Sequence, residues 1–306
     1  MNLQSVVSPL GKKEFLDGYW PRRPLTIPGG EDRVAKIKNL PLMESGETVL
    51  QSYPDRVSLM RPDGFWSEAD SGPAALEHYR TGHTCYLRRV ERYVPEIAEL
   101  VTSVTAELGM PEGSFTGEIF CSTAESGVGM HSDYDVNFAM LLKGTKHWRF
   151  MPNEHIRNQT NICLPSTLDQ VDDTQLELAD EVPFPSSMAA DAPEIEMTPG
   201  GLVFIPRGLW HQTRAVGECI QLNIVMKGPH WVSVLTRALE KRLIKDSSWR
   251  DYAYGVCGAA DQRQSAEAVF AGLLDKLRAD LATGSSVELA QSLITDAGLH
   301  GEADRA

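Results

Sequence analysis

Short apolar runs rich in β-branched and aromatic residues dominate the chain from about residue 114: GEIFCSTA, MHSDYDVNFAMLLKG, TKHWRFMP, GGLVFIP, HQTRAVG and ECIQLNIVMKG. Each is bounded by Gly, Pro or Asn, and strands at this spacing predict an antiparallel barrel or sandwich. Upstream, residues 74–109 combine the apolar segment TCYLRRV with VPEIAELVTSVTAELG, whose spacing predicts a helix. Residues 9–30 predict a short helical patch and then Pro and Gly punctuation, with Phe15, Tyr19 and Trp20 packing and Leu25 and Ile27 on an edge strand. Residues 152–198 read as one long loop carrying Asp169, Asp172, Asp173, Glu177, Asp180 and Glu181; a loop of that length is functional or disordered. From Trp231 the strand pattern stops. WVSVLTRALEKRLI, SAEAVFAGLLDKLRADLA and SVELAQSLITDAG all have helical spacing, with a cap expected at Ser285 or Ser286. The expected division is therefore 1–230 and 231–306, the second part helical.

Composition narrows the function classes. Among 306 residues, 29 are Lys or Arg and 42 are Asp or Glu, a formal net charge of −13. Such a surface repels phosphate backbones, which argues against general nucleic-acid binding. The chain has no apolar run long enough for a transmembrane helix. Its first residues lack the basic start and apolar stretch of a secretory signal. Cys85, Cys121, Cys163, Cys219 and Cys257 are widely spaced and never form a C-x-x-C pair. They are expected to be reduced thiols in a cytoplasmic protein.

The candidate chemistry begins with His131 and Asp133. Alternate residues of a strand share a face, so the imidazole and the carboxylate converge. His211 follows the apolar strand GGLVFIP. Two histidines and a carboxylate leave three metal positions open, the requirement of a non-haem Fe(II) oxygenase, although zinc hydrolases use similar ligands. With eight histidines and 42 acids, about one H-x-[DE] pair arises by chance. The second such pair, His300 and Glu302, sits in a polar terminus without strand character. A buried histidine bonded to a neighbouring acid is the plain alternative for His131 and Asp133. Asn137 shares their strand parity. The chain is then expected to turn at Lys143-Gly144-Thr145 and re-enter with Lys146, flanked by Trp148 and Phe150. A lysine there needs an anion, such as the far carboxylate of a dicarboxylate cosubstrate; a lysine snorkelling from the barrel rim is the alternative.

HSDYDVNFAMLLKGTKHWRFMP, with TPGGLVFIPRGLWHQT and IQLNIVMKG, resembles the JmjC/cupin-type 2-oxoglutarate- and Fe(II)-dependent oxygenases, including their asparaginyl hydroxylase and bacterial ribosomal-protein hydroxylase branches. FLDGYWPRRPLTI resembles their opening. The resemblance covers roughly residues 10–230. It implies that His131, Asp133 and His211 hold iron, that Lys146 pairs with the C5 carboxylate of 2-oxoglutarate, and that Asn137 and Asn223 assist. Tyr86 matches a strand tyrosine that touches the cosubstrate in some members; an ordinary core tyrosine is the alternative. Where asparaginyl hydroxylases carry a cosubstrate-contacting Thr, this chain has Val128, which leaves that hydrogen bond to Thr123, Ser122 or Tyr86. Trp210 is expected to pack the site, and Arg207 and Arg214 offer grips for an anion.

The expected fold is mainly β with α: a double-stranded β-helix (jelly-roll, cupin) core with N-terminal helices and a C-terminal helical region. The expected activity is hydroxylation of a side chain in a peptide, protein or amino-acid-like molecule, using Fe(II), 2-oxoglutarate and O2 and releasing succinate and CO2. The acidic loop would suit a basic substrate, or is simply solvated. The helical tail would form a homodimer, or fold over its own barrel. Two other classes remain: a cupin-type metal-dependent hydrolase or isomerase, and a metal-free cupin binding protein. Neither calls for Lys146.

Overall fold

The computed structural model describes residues 1–30, 33–61, 66–164, 177–179 and 182–299. It contains two compact units, Met1–Lys227 and Gly228–Ala306. The first unit is built on a ten-stranded antiparallel sheet: β1 (Leu25–Ile27), β2 (Val57–Met60), β3 (Trp66–Ala69), β4 (Thr84–Arg88), β5 (Phe115–Ser122), β6 (His131–Ser132), β7 (Val136–Met151), β8 (Glu194–Met197), β9 (Leu202–Ile205) and β10 (Trp210–Met226). The order is β1-β9-β7-β10-β5-β4-β2-β3, with β6 beside β10 and β8 beside β7. This is the expected double-stranded β-helix, of which the strand pattern by itself predicts the antiparallel barrel or sandwich.

Alternation along the strands decides what each face does. On β7, Val136, Phe138, Met140 and Leu142 turn to one core together with Leu222 and Ile224 of β10 and Ile119 and Cys121 of β5. The intervening residues turn inward. N-terminal helices cover the outer core. Phe15, on the helix Lys12–Gly18, packs its ring 5.8 Å from Phe138 and 5.1 Å from Phe204. The helix Pro95–Glu107 buries Ile97, Leu100, Val101 and Val104. The edge strand at Leu25–Ile27 and the helix following TCYLRRV lie where the sequence pattern placed them.

One expectation is corrected. Lys143-Gly144-Thr145 is no turn: β7 continues through it for 16 residues. HQTRAVG and ECIQLNIVMKG are likewise a single strand, β10. The two strands shift register between Val216 and Ile220. Gly144 carries the distortion at φ 86°, and a Cβ there would sit 2.1 Å from the Glu218 carbonyl oxygen. A bulge and a turn both demand such a glycine, so the local sequence does not separate them. The bulge divides both strands into halves. The first half of β7 pairs with β9 and its second half with β8.

The segment after Met151 is partly described. Five acidic residues of the proposed substrate-recruiting run, Asp169, Asp172, Asp173, Asp180 and Glu181, lie outside the described residues, as do His300 and Glu302. Glu177 is exposed.

The second unit holds helices Trp231–Leu243, Ala260–Leu281 and Ser286–Ala297. Ser285 is the cap of the last helix, in a capping box with Glu288. Val234, Ala238 and Ala297 form a small core, and Arg242 reaches Asp296 at 2.9 Å. Ala260–Leu281 buries no side chain, and Val269 and Phe270 are exposed. Among the described residues no helix is long and apolar enough to cross a membrane. Cys85, Cys121, Cys163 and Cys219 are buried free thiols and Cys257 is an exposed one.

Candidate metal centre and its cavity

His131 on β6 and His211 on β10 are register partners, so their imidazoles meet, with ring centroids 4.1 Å apart. Asp133 lies just past the end of β6, where the chain bends before β7. Its Oδ2 is 3.9 Å from His131 Nε2 and 3.6 Å from His211 Nε2. The pleat expected to align His131, Asp133 and Asn137 is thus interrupted, yet all three line one cavity of about 610 Å³.

The donor set fits a divalent ion. The three ligand atoms lie within 4.8 Å of one another; cis ligands about 2.1 Å from a common ion stand about 3 Å apart, a small contraction away. Both tautomers are set by the backbone. His131 Nδ1 donates to the Gly129 carbonyl at 2.7 Å and His211 Nδ1 to the Leu209 carbonyl at 2.9 Å. Each Nε2 therefore keeps its lone pair for the shared point. Burial, reinforced by neighbouring His131, pushes the His211 pKa down to about 4, so its ring stays neutral.

The residue between the ligands was missed by sequence reading. Ser132 donates from its hydroxyl to Gln159 Oε1 at 3.0 Å, and Gln159 Nε2 donates back to the Ser132 carbonyl at 2.8 Å. Ser132 and Cys163 exchange backbone hydrogen bonds at 3.0 Å, and the Gly208 N–H donates to the Asp133 carbonyl at 2.8 Å. Gln159 is fully buried. Nothing local in the sequence marks it, because its partners lie 27 residues away. Arg207 grips the carbonyls of Asn158 and Gln159, and Arg214 pairs with Glu125 at 3.4 Å, so both proposed anion grips have protein partners. Trp210 packs behind the site, its Nε1 donating to His155 Nδ1 at 3.3 Å.

Lys146 lies on the second half of β7, opposite Ala215. It is 1% exposed. Its Nζ has no hydrogen-bond or ion-pair partner among the described residues and stands 5.8 Å from the Phe120 ring centroid and 5.7 Å from that of Trp148. Burial lowers its pKa to about 8. Asn223 also lines the cavity, and its Oδ1 accepts from Gln221 Nε2 at 2.7 Å. Asn137 Oδ1 and Gln221 Oε1 are buried without partners. Tyr86 stacks on Phe120 at 4.5 Å, and burial together with the nearby Glu118 carboxylate pushes its phenol up. Glu118 in turn pairs with Lys227 at 3.0 Å, although burial still holds its carboxyl above the usual range.

Of the hydroxyls suggested in place of a Thr at Val128, Ser122 is engaged with Thr84 at 3.2 Å. Neither Ser122 nor Thr123 lines the cavity. Thr213, unremarked in the sequence reading, does line it and accepts the Val128 N–H at 3.1 Å.

Comparisons with known proteins agree with this architecture. The chain is 29% identical over 261 residues to the uncharacterized protein YxbC of Bacillus subtilis, spanning 82% of this chain and 78% of that one. It is 21% identical over 243 residues to the bifunctional lysine-specific demethylase and histidyl-hydroxylase NO66 of Aedes aegypti, but spans only 33% of that protein. Among solved structures, the ribosomal oxygenase YcfD of Escherichia coli in complex with cobalt and 2-oxoglutarate aligns at a TM-score of 0.54 and 17% identity, covering 87% of this chain and 67% of that one. The complex with cobalt and succinic acid gives 0.55 and 18%. At these identities the structural likeness speaks for the fold. The family described as cupin-like domain matches residues 75–227, half of the chain, and to that family the chain belongs.

Proposed function

We propose that the protein is a 2-oxoglutarate- and Fe(II)-dependent hydroxylase acting on a side chain of a protein, peptide or amino-acid-like molecule. The observation that carries this reading is Lys146, a fully buried cation with no hydrogen-bond or ion-pair partner among the described residues, in the cavity that also holds the two histidines and the aspartate. A hydrolase or isomerase needs the metal but not this charge. A metal-free binding protein needs neither. Burying an unpaired ammonium is costly unless an anion meets it.

In this reading His131, Asp133 and His211 hold Fe(II) through two Nε2 atoms and one carboxylate oxygen. Bound together, Fe(II), 2-oxoglutarate and O2 supply the oxidising power for inserting one oxygen atom into a C–H bond, with succinate and CO2 as coproducts. The chain's own part is positional. The Gly129 and Leu209 carbonyls aim the imidazoles, Gln159 fixes the turn between the ligands, and Lys146 receives the distal carboxylate of 2-oxoglutarate. Asn137 and Asn223 supply amides toward the cosubstrate, while Tyr86 shapes the cavity from β4. Phe120, Trp148, Asn161 and Leu164 complete the lining of the cavity.

A protein substrate is in keeping with the names of YcfD, a ribosomal oxygenase, and NO66, a histidyl-hydroxylase. Four buried free thiols suit a reducing, cytoplasmic setting. The working division is a catalytic region, 1–230, and a helical region, 231–306. The helix Ala260–Leu281, which buries none of its residues within the chain, forms a homodimer with a second copy; sedimentation showing only monomer at tens of micromolar, roughly where weak dimers assemble, would remove this part. Anaerobic titration with Fe(II) and 2-oxoglutarate tests the central reading: a visible charge-transfer band should appear only when both are present. Its absence would return the cupin hydrolase to first place.

A further inference from the structure

We propose that Trp148 and Thr213 join Lys146 as donors to the distal carboxylate of 2-oxoglutarate, the Thr213 hydroxyl filling the place that Val128 leaves without one. The inference rests on the cosubstrate reading above and adds two residues to it.

The strand register builds the arrangement. Facing rungs of β10 and β7 read His211 against Phe150, Thr213 against Trp148, and Ala215 against Lys146. Successive same-face residues are about 6.6 Å apart along a strand. Thr213 and Trp148 therefore occupy the rung between the metal ligand and the lysine. A molecule that chelates at His211 and reaches Lys146 must pass them. Ala215 offers only a methyl opposite Lys146, so that rung has no competing polar group.

All three side chains on this stretch present unused donors. Lys146 Nζ has no hydrogen-bond or ion-pair partner among the described residues. Trp148 is 2% exposed and lines the cavity, and its Nε1–H is buried with nothing to receive it. Thr213 Oγ1 accepts the Val128 N–H at 3.1 Å, which consumes a lone pair and leaves its own proton without an acceptor among the described residues. Gly127 permits that approach, since a Cβ there would meet the Thr213 carbonyl oxygen at 2.1 Å, and the Thr213 N–H closes the contact on the Val128 carbonyl at 2.9 Å. The cavity's orphan acceptors, Asn137 Oδ1 and Gln221 Oε1, sit beyond the bulge on the other strand halves. Three donors that have no acceptor among the described residues suit an anion. Trp148 is also immobilised, stacked 5.8 Å from the His211 ring and 5.7 Å from Phe150, so its N–H is fixed in direction.

The test uses full-length protein loaded with Mn(II) and measures binding, not turnover, by calorimetry. The ligands are 2-oxoglutarate and 2-oxobutyrate, which chelates alike but lacks the distal carboxylate. Trp148→Phe and Thr213→Val should each weaken 2-oxoglutarate about tenfold or more, as for loss of a hydrogen bond to a charged group. Binding of 2-oxobutyrate and of Mn(II) should stay within about twofold, and Thr213→Ser should restore most of the loss. Unchanged 2-oxoglutarate affinity in both variants would overturn the proposal. Equal weakening of both oxo acids would overturn it too, by placing the effect at the metal or in the packing. A wild-type protein that binds Mn(II) but no 2-oxoglutarate would instead sink the cosubstrate reading, and this inference with it.

Discussion

The two walls of the cavity treat their polar groups in opposite ways. On the β4–β5 side they satisfy one another: Lys227 pairs with Glu118 at 3.0 Å, and the Arg88 guanidinium lies 4.9 Å over the Tyr86 ring. On the β6–β10–β7 side they do not. Two histidines point lone pairs at a shared point, while among the described residues the Trp148 N–H has no hydrogen-bond partner and Lys146 Nζ meets only the Phe120 and Trp148 rings. A buried polar group left unpaired destabilises the free protein until something binds it. The unpaired wall is therefore the one built around small ionic ligands.

Breaking the unpaired wall at its metal end should have the largest effect. Asp133→Ala removes the only anionic ligand of three, so Fe(II)-dependent consumption of 2-oxoglutarate should fall below detection while circular dichroism stays native. Turnover like wild type at limiting iron would take Asp133 out of the site.

Next comes Lys146→Met, which keeps the stem's packing and deletes the charge. Affinity for 2-oxoglutarate should drop by about 10² or more, the effect of stripping one member from a buried ion pair. The free protein should become more stable, not less, because an unpaired buried ammonium is gone. With the folded pKa near 8 against an ordinary 10.5, the gain is about 3 kcal/mol below pH 8. The sign fixes the pH dependence. Between about 8 and 10.5 the unfolded chain holds more protons, so wild-type stability rises with pH across that window, and the variant lacks the rise. Over the same window the affinity of wild type for 2-oxoglutarate should decline, because the donor loses its proton. Melting curves that fall together for both proteins would contradict this account.

Period-two reasoning reached the features that depend on one strand. It put Lys146 beside Trp148 on one face of β7 and read the strand-rich core, whereas His131 and Asp133 converge across the end of β6 and not along a pleat. It failed where two distant segments must be in register. Thr213 meets Val128 across 85 residues, and Gln159 holds Ser132 across 27; neither partner is marked by local composition. The turn expected at Gly144 failed for a different reason. A glycine at positive φ serves a hairpin and a bulge equally, and only the pairing of β7 with β10 decides between them.

Gln159 sharpens the comparison from outside the ligand set. Gln159→Leu keeps the volume but releases the Ser132 hydroxyl and carbonyl, loosening the turn between His131 and Asp133. Metal affinity should fall about 10- to 100-fold, as for other residues that orient ligands, with the ratio of 2-oxoglutarate to 2-oxobutyrate affinity unchanged. Competition with a fluorescent chelator measures the first and calorimetry the second. A change in the ratio would mean that the two ends of the wall are mechanically linked.

The smallest effect on cosubstrate binding is expected at the self-satisfied wall. Lys227→Met leaves Glu118 buried beside Tyr86 without its cation. Lys227 is 39% exposed, so solvent already screens the pair, and the loss should be about 1–2 kcal/mol, not the full cost of a dry one. Glu118 already titrates above its ordinary 4.5 through burial, and Lys227 is the strongest influence opposing that shift. Removing it raises the folded pKa further. The folded state then holds a proton that the unfolded chain has released, so the variant should lose stability as pH rises from 4.5 through the new folded value. Its deficit against wild type should be larger at pH 8 than at pH 5. Affinity for 2-oxoglutarate should stay within about twofold of wild type, because the pair belongs to the wall that awaits no ionic ligand. A tenfold loss of that affinity would erase the distinction between the two walls and place Glu118 and Lys227 in the cosubstrate site.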